Sequence, residues 1–449
     1  MKLSEVNATL REIRVSPVKT LGQNFLHDQN LARWIVEEAK IGPEDFVVEI
    51  GPGLGALTEL IVAKGSRVLA IEKDARLVDF LRRRFPTSHV QILHEDALNF
   101  DLRGLHVHPR VKVLGNLPYY ISTQLLMKYL AAPSPISLWL FTLQKELVAR
   151  LSAGPRCPDY GALTLIVQLE HRVEFLRTLS ATVFLPQPDV DSAVARFTQR
   201  LPEELPWCDR DVFRKLVRVG FSQRRKQLQK LLREEVPDWT ETAKTLGVKN
   251  QVRAEELSLE HWIALTNLVA SPPVPDRTKV DRELFAVVDE SDQMIRTATR
   301  AEVHANNLRH RAVHILIFNP FGEVFLQRRS RWKDRHPLRW DSSAAGHVEA
   351  AEEYDETARR ELQEELGITV PLHRVAKLAA SERTDQEFVS LYRGGYDGDL
   401  HIAAGEIDTG EFFPPEIVTG WISARPSDFA TAFVECWRAY LSEGKGELP

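Results

Sequence analysis

The tightest constraint on the fold lies in residues 46–120, where apolar runs alternate with amphipathic stretches: "FVVEI" (46–50), "SRVLAIE" (66–72), "VQILHEDA" (90–97) and "VKVLGNLPYY" (111–120). The runs read as strands and the stretches between them as helices. Strands joined through helices run parallel, because only a crossover returns the chain to the same end of a sheet. The pattern predicts an α/β fold, a doubly wound parallel sheet whose strand-end loops gather along one ligand-binding edge. From about Pro206 to Ala270 the strand runs stop and helical segments take over, which predicts a small helical lobe.

The alternation breaks at "SPPVPDRTKV" (Ser271–Val280). Proline cannot continue a helix and a Pro-Pro pair favours extended chain, so this segment reads as a linker. Beyond it, "LFAVVDESDQMI", "HRAVHILIFNPFGEVFLQRR" and "EFVSLYRGGYDGDL" predict strands and hairpins around one strong helix, an α+β pattern. The expected boundaries are 1–205 for the α/β domain, 206–270 for the helical lobe, 271–279 for the linker and 280–449 for the α+β domain. A length of 449 residues suits that division at roughly 100–200 residues per domain.

Composition excludes several classes. At 43% hydrophobic and 27% charged residues the chain is globular rather than disordered or fibrous. No apolar run approaches the ~20 residues of a membrane helix, and "MKLSEVNATLREIRV" lacks the apolar core of a signal peptide, so the expectation is a cytoplasmic protein without a membrane partner. Cys157, Cys208 and Cys436 lie far apart, which fits a reducing compartment and excludes a cysteine-based zinc site. The net charge of −5 conceals an asymmetry: residues 1–270 carry 36 Lys and Arg against 32 Asp and Glu, whereas residues 271–449 carry 22 against 31. The two parts are expected to meet different partners. In the first, "FSQRRKQLQKLLR" (Phe221–Arg233) concentrates positive charge and is a candidate contact for a phosphate backbone.

"VVEIGPGLGALT" (Val47–Thr58) sets three glycines between a strand and a helix. Glycines there let a ligand approach the backbone, and the helix start offers N–H groups. The spacing differs from the dinucleotide fingerprint, yet Glu72, at the end of "VLAIE", is the acid expected to hold ribose hydroxyls, and Asp96 ends a third strand. Together these positions suggest an adenosine-containing ligand. "GNLPYY" (Gly115–Tyr120) ends the fourth strand. A ring-conjugated exocyclic amine is a poor nucleophile, and acceptors around its hydrogens, the Asn116 side-chain oxygen and the Leu117 carbonyl, favour pyramidal geometry as a methyl group arrives. An aromatic neighbour can stack on the base.

From Lys19 to Leu268 the chain resembles the bacterial small-subunit rRNA adenine dimethyltransferases. The likeness rests on "KTLGQNFLHD" (Lys19–Asp28), "EIGPGLGALT", "EDAL", "GNLPYYIST", "LQKELVARL", "YGALTLIVQ", "FLPQPDVDSAVARF" (Phe184–Phe197), "FSQRRKQL" and "RAEELS", in that order. It implies a Rossmann-like class I methyltransferase that makes N6,N6-dimethyladenosine with S-adenosylmethionine. It further implies cofactor contacts at Asn24, Leu26, Gly51, Glu72, Asp96 and Asn116, with Asn116 and Leu117 holding the target amine and Tyr119 and Phe184 sandwiching the adenine. The helical lobe would grip rRNA, a role that suits Arg224, Arg225 and Lys226. The implied partner is small-subunit rRNA in a structured pre-30S particle, because the modest positive excess of residues 1–270 is weak for binding RNA by charge alone.

The acidic part contains "SSAAGHVEAAEEYDETARRELQEELGI" (Ser342–Ile368). A helix from about Tyr354 to Leu366 puts Glu361 and Glu365 on one face with Glu364 beside them. Such carboxylates repel one another unless a hard divalent cation sits among them, and Mg²⁺ takes oxygen ligands while keeping waters and substrate phosphates. Arg360 can orient Glu364, and Gly367 is placed to cap the helix. The plain alternative is a solvated acidic face. Against it stands the full spacing: Gly346, five residues, Glu352, seven residues, then Arg360-Glu361-Leu362-x-Glu364-Glu365-x-Gly367-Ile368. At every position it is similar to the Nudix box. The resemblance implies a Nudix-fold domain that cleaves a nucleoside diphosphate linked to another group. It places Mg²⁺ or Mn²⁺ on Glu361, Glu364 and Glu365, with Glu361 or Glu365 orienting or deprotonating the water.

"LRHRAVHILIFNPFGEVFLQRRS" and "RWDSSAAGH" also resemble isopentenyl-diphosphate isomerases, which share this fold and use a catalytic Cys just before a metal-binding His. Here the run is Ala345-Gly346-His347, and alanine neither donates nor removes a proton, which favours hydrolysis. His310 and His347 are pocket candidates against a structural role, and Arg328 and Arg329 could meet a diphosphate or pair with acids. The expected function is bifunctional: rRNA adenine dimethylation, and hydrolysis of a diphosphate-containing small molecule that the box itself does not specify. The alternatives are a methyltransferase or ribosome assembly factor with a non-catalytic Nudix binding module, or an isomerase-like domain.

Overall fold

In the computed structural model the described residues are 2–17, 23–131 and 133–443, so Lys19–Gly22, the start of "KTLGQNFLHD", lie outside them. Two compact units divide at Pro272/Pro273, within the expected linker, and Arg277–Val280 forms a short helix there. No described helix is long and apolar enough to cross a membrane.

The first unit is built on β1 (Phe46–Ile50), β2 (Arg67–Glu72), β3 (Val90–His94), β4 (Val111–Asn116), β5 (Ile136–Gln144), β6 (His171–Leu179) and β7 (Ser192–Gln199), ordered β3-β2-β1-β4-β5-β7-β6. The first five run parallel, as the alternation of strands and helices predicts. β7 is antiparallel to both β5 and β6, a departure from a wholly parallel sheet. Its cause is the connection: residues 180–191, which hold the short turn Ala181–Val183, the two-residue strand Phe184–Leu185 and no α-helix, join β6 to β7, and strands joined without a crossover helix pair antiparallel. Successive strand residues serve opposite faces. Val48 packs with Leu125, Leu126 and Tyr129 on one side, and Val47 with Ile35, Ile61 and Leu81 on the other. The helices Arg210–Gly220, Trp239–Thr245 and Leu259–Val269 enclose Phe213, Leu216, Trp239 and Trp262, and this core also takes in Tyr160 and Leu165.

The second unit opens with the hairpin β8 (Leu284–Val288) and β9 (Met294–Thr299). Its main sheet contains β10 (His310–Phe318), β11 (Val324–Arg329), β12 (Trp340–Asp341), β13 (Ala344–His347), β14 (His373–Leu378), β15 (Glu387–Gly395) and β16 (Ile407–Phe413). Central β10 lies parallel to β15 and antiparallel to β13. Val313, Ile315 and Ile317 pack under Ala358, Leu362 and Leu366 of the Tyr354–Leu366 helix. Ala312, Leu316 and Phe318 face the opposite way, toward the helices Pro415–Ala424 and Thr431–Glu443. The Tyr354–Leu366 helix has the expected span and ends at Gly367, whose φ of 69° is the left-handed cap that glycine supplies without strain.

Candidate functional site

At the carboxyl edge of the first sheet, two cavities of about 90 and 40 Å³ share Asn24, Phe25, Gly51, Gly53 and Asn116 in their walls. The larger one is also lined by Glu72, Asp96, Ile71, Ala97 and Leu125, and the smaller by Leu26, Glu49, Thr142 and Phe184. Every cofactor position expected from the sequence therefore lines one cavity or both. The turn between β1 and the following helix keeps Gly51, Gly53 and Gly55 at φ of 65°, 58° and 81°, a conformation that side chains rarely adopt. Glu72 fixes that turn: its carboxylate accepts from the backbone N–H of Lys73 and Asp74 at 2.9 Å and of Gly53 at 3.3 Å. Burial pushes Glu72 up to about 6, opposed by these hydrogen bonds. Burial also raises Asp96, but the hydrogen bonds from Lys73 Nζ at 2.7 Å and from the Leu98 N–H at 3.0 Å, with the positive charges of Lys73 and Lys128, together outweigh it and leave the group below its usual range.

Asn116 sits where the cavities meet, and its orientation follows from one bond. Its Nδ2 donates to the Asn24 carbonyl at 2.8 Å, which assigns Oδ1 as the end of the carboxamide that can accept from a ligand. The Asn24 segment is anchored in turn, because Phe25–Leu26 pairs antiparallel with Phe184–Leu185 and Leu26 lies opposite Phe184. Leu117 is 1% exposed, with its N–H bonded to the Thr142 carbonyl at 3.1 Å. Tyr119 is not among the residues lining either cavity, and its hydroxyl is hydrogen bonded with Ser192 Oγ. Arg224, Arg225 and Lys226 are exposed in the turn after the Arg210–Gly220 helix, where the Arg224 guanidinium donates to the Pro158 carbonyl. Glu49, which no sequence motif singles out, is 2% exposed, accepts from Thr58 Oγ1 at 2.6 Å and is pushed up to about 7 by burial. A lone acid inside "FVVEI" was the available signal.

The second unit holds a cavity of about 300 Å³ whose wall includes Gly346, Arg360, Glu361, Glu364 and Glu365. Arg360 donates to Glu352 at 2.8 and 2.9 Å, to Glu361 at 2.8 Å and to Glu364 at 3.1 Å, so one guanidinium aligns three carboxylates. Glu365 accepts from Gln327 Nε2 at 3.0 Å and from the Ala345 N–H at 3.1 Å, and Lys333 Nζ stands 3.6 Å away. Burial first and then the neighbouring Glu365 push Glu361 up to about 8, and burial raises Glu365 despite Lys333. Half-buried Glu361 and buried Glu365, which resist ionising side by side, fit the donor set of a hard divalent cation, with Glu364 exposed beside them. A Cβ at Gly346 would lie 2.0 Å from the Glu361 carboxyl carbon, so the bare glycine leaves that carboxylate room to sit where it does. Arg328 and Arg329 pair with buried Asp408 and Asp341 respectively. His310 and His347 adjoin Glu387, and His304 completes a cluster that local spacing did not reveal.

Residues 17–271 match the family described as ribosomal RNA adenine dimethylase, and residues 308–430 match the NUDIX domain. The ribosomal RNA small subunit methyltransferase A of Geobacillus kaustophilus is 40% identical over 266 residues, covering 56% of this chain and 90% of that protein. Its namesake from Halothermothrix orenii is 38% identical over 274 residues, covering 58% and 91%. A crystal structure of a dimethyladenosine transferase from Plasmodium falciparum is 22% identical, covers 54% of this chain and 95% of that one, and has a TM-score of 0.47. The architecture is thus that of a class I methyltransferase with a helical lobe, followed by a Nudix fold. The chain belongs to the ribosomal RNA adenine dimethylase family and carries a NUDIX domain fused behind it.

Proposed function

We propose that the first unit dimethylates N6 of adenines in small-subunit rRNA, and that the second hydrolyses a diphosphate-containing small molecule with Mg²⁺ or Mn²⁺. The observation that carries the first reading is the Asn116 carboxamide at the junction of the two cavities, with its nitrogen committed to Asn24. In this reading Asn24, Leu26, Gly51, Glu72, Asp96 and Asn116 hold S-adenosylmethionine, which supplies an electrophilic methyl group. Asn116 Oδ1 and the Leu117 carbonyl accept the hydrogens of the target amine, and Tyr119 and Phe184 flank its ring. The amine nitrogen would bond to the methyl carbon as that carbon's bond to sulfur breaks, the electron pair staying on sulfur, and would afterwards release a proton. Arg224, Arg225 and Lys226 meet the RNA backbone. Small-subunit particles lacking dimethyladenosine, incubated with labelled S-adenosylmethionine, should accept label from the unaltered chain. Asn116→Ala should slow this by about 10²–10³-fold, and an unchanged rate would remove Asn116 from the reaction.

The adjoining pair of half-buried Glu361 and buried Glu365, both raised first by their loss of solvent, carries the second reading. With Glu364 they would hold the cation, which supplies Lewis-acid activation of the diphosphate and of the attacking water. Glu361 or Glu365 would orient that water or accept its proton, while Arg360 keeps the carboxylates aligned. Water adds to phosphorus and the bridging P–O bond breaks. A panel of nucleoside triphosphates, nucleotide sugars, dinucleoside polyphosphates and isoprenoid diphosphates should yield cation-dependent phosphate or mononucleotide from at least one member. Tight binding without turnover would make the domain a binding module instead.

A further inference from the structure

β11 reads Val-Phe-Leu-Gln-Arg-Arg, and Gln327 is the polar residue of its buried part. Its backbone is fixed from both sides, opposite Asp341 of β12 and Gly410 of β16. Side chains two apart on a strand share a face, so Gln327 projects with Phe325 toward the side where Ala358, Leu362 and Leu366 of the Tyr354–Leu366 helix pack. There it is 1% exposed. A buried carboxamide destabilises a fold unless hydrogen bonds satisfy it, and this one is satisfied by half. Nε2 donates to Glu365 Oε2 at 3.0 Å, whereas Oε1 is buried with no hydrogen-bond partner among the described residues. An apolar side chain of similar shape would carry no unmet acceptor. Packing of the helix on the sheet therefore does not account for Gln327, and its bond to Glu365 does.

Glu365 is in a position that calls for such a bond. It stands in the last turn of its helix, where the carbonyl end of the dipole disfavours a carboxylate, and it is 2% exposed. Its Oε2 is committed twice, to Gln327 on β11 and to the Ala345 N–H of β13 at 3.1 Å, so two strands hold one oxygen. Oε1 has neither of these ties and lies 3.6 Å from Lys333 Nζ. Glu365 and Lys333 line the cavity together with Glu361 and Glu364. A glutamate side chain is flexible, and its oxygen serves as a metal ligand only where outer hydrogen bonds hold it in place.

We propose that Gln327 is a positioning residue of the second unit: it holds the Glu365 carboxylate by Oε2 so that Oε1 is presented to the divalent cation. The proposal rests on the reading that Glu361, Glu364 and Glu365 hold that cation. Gln327 touches neither the cation nor the substrate, and acts through Glu365 alone.

The test measures Mn²⁺ binding to the full chain without substrate, followed by the electron paramagnetic resonance of the free ion. Gln327→Met removes the donor while conserving shape and volume. It should weaken Mn²⁺ binding at least ~10-fold, as loss of an outer partner of a metal ligand does, and should leave the thermal midpoint of the chain unlowered, since the unmet acceptor goes with the donor. With the compound that the unaltered chain hydrolyses, kcat should fall and KM should change little. Gln327→Leu should behave in the same way. In a Glu365→Gln background, where nitrogen replaces a ligand oxygen, adding Gln327→Met should change Mn²⁺ binding no further. Unweakened Mn²⁺ binding in Gln327→Met would overturn the proposal, and so would an equal further loss in the Glu365→Gln background, which is the mark of general damage to the fold. Mn²⁺ binding that Glu365→Gln leaves unchanged would instead contradict the carboxylate reading itself, and the proposal with it.

Discussion

Gly346 shows how much a single residue decides in this molecule. Its backbone is tied to Val313 across β13 and β10, so it cannot retreat from Glu361, whose carboxyl carbon would stand 2.0 Å from any added Cβ. Gly346→Ala should displace that carboxylate and lower cation-dependent hydrolysis about 100-fold, as misplacements of about 1 Å can, when phosphate release is measured. Glu49 makes the corresponding case in the first unit. Burial raises it from 4.5 to about 7, so the folded state binds its proton more tightly than the unfolded chain. Its contribution to stability is full below about pH 4.5 and is lost as the pH rises through about 7, on the order of 3 kcal/mol over that window. Urea titrations across that range should show a slope for the unaltered chain that Glu49→Gln reduces. Gly346 was legible because the box fixes its distance from Glu352, whereas His304 and Glu387 were not, since tertiary pairing alone brings them together.

Among the elements, those with a strong local pattern were readable in advance. The Tyr354–Leu366 helix, its Gly367 cap and the parallel run β3-β2-β1-β4-β5 follow from hydrophobic period and turn chemistry. The antiparallel β7 was not legible, because its direction depends on a connection without a helix rather than on its own residues. Burial was likewise hidden: Glu361, Glu364 and Glu365 share one helix, yet Glu365 is 2% exposed and the Glu364 side chain 59%. The turn Phe221–Lys226 belongs to this scale too. Replacing Arg224, Arg225 and Lys226 together by Ala should weaken rRNA binding and reduce its slope against log salt by about 2, at roughly 0.7 per phosphate contact on single strands. Binding isotherms at several salt concentrations would check this, and an unchanged slope would place the RNA elsewhere.

For the molecule as a whole, the chain joins two compact units of opposite charge balance, each with its own cavity. The order of motifs made the two-part organisation readable from the sequence. The second unit's substrate was not, because the box specifies a cation and a class of bond, while the rest of the cavity wall comes from segments as distant as Arg277 and Ala432. On the proposed reading this unit hydrolyses a diphosphate through Glu361, Glu364 and Glu365, by chemistry separate from methyl transfer. The most direct test is to assay one preparation of Glu365→Gln for both reactions. Cation-dependent hydrolysis should fall by about 10²–10⁴-fold while methyl transfer to small-subunit particles stays at the level of the unaltered chain. Undiminished hydrolysis in that variant would contradict the account.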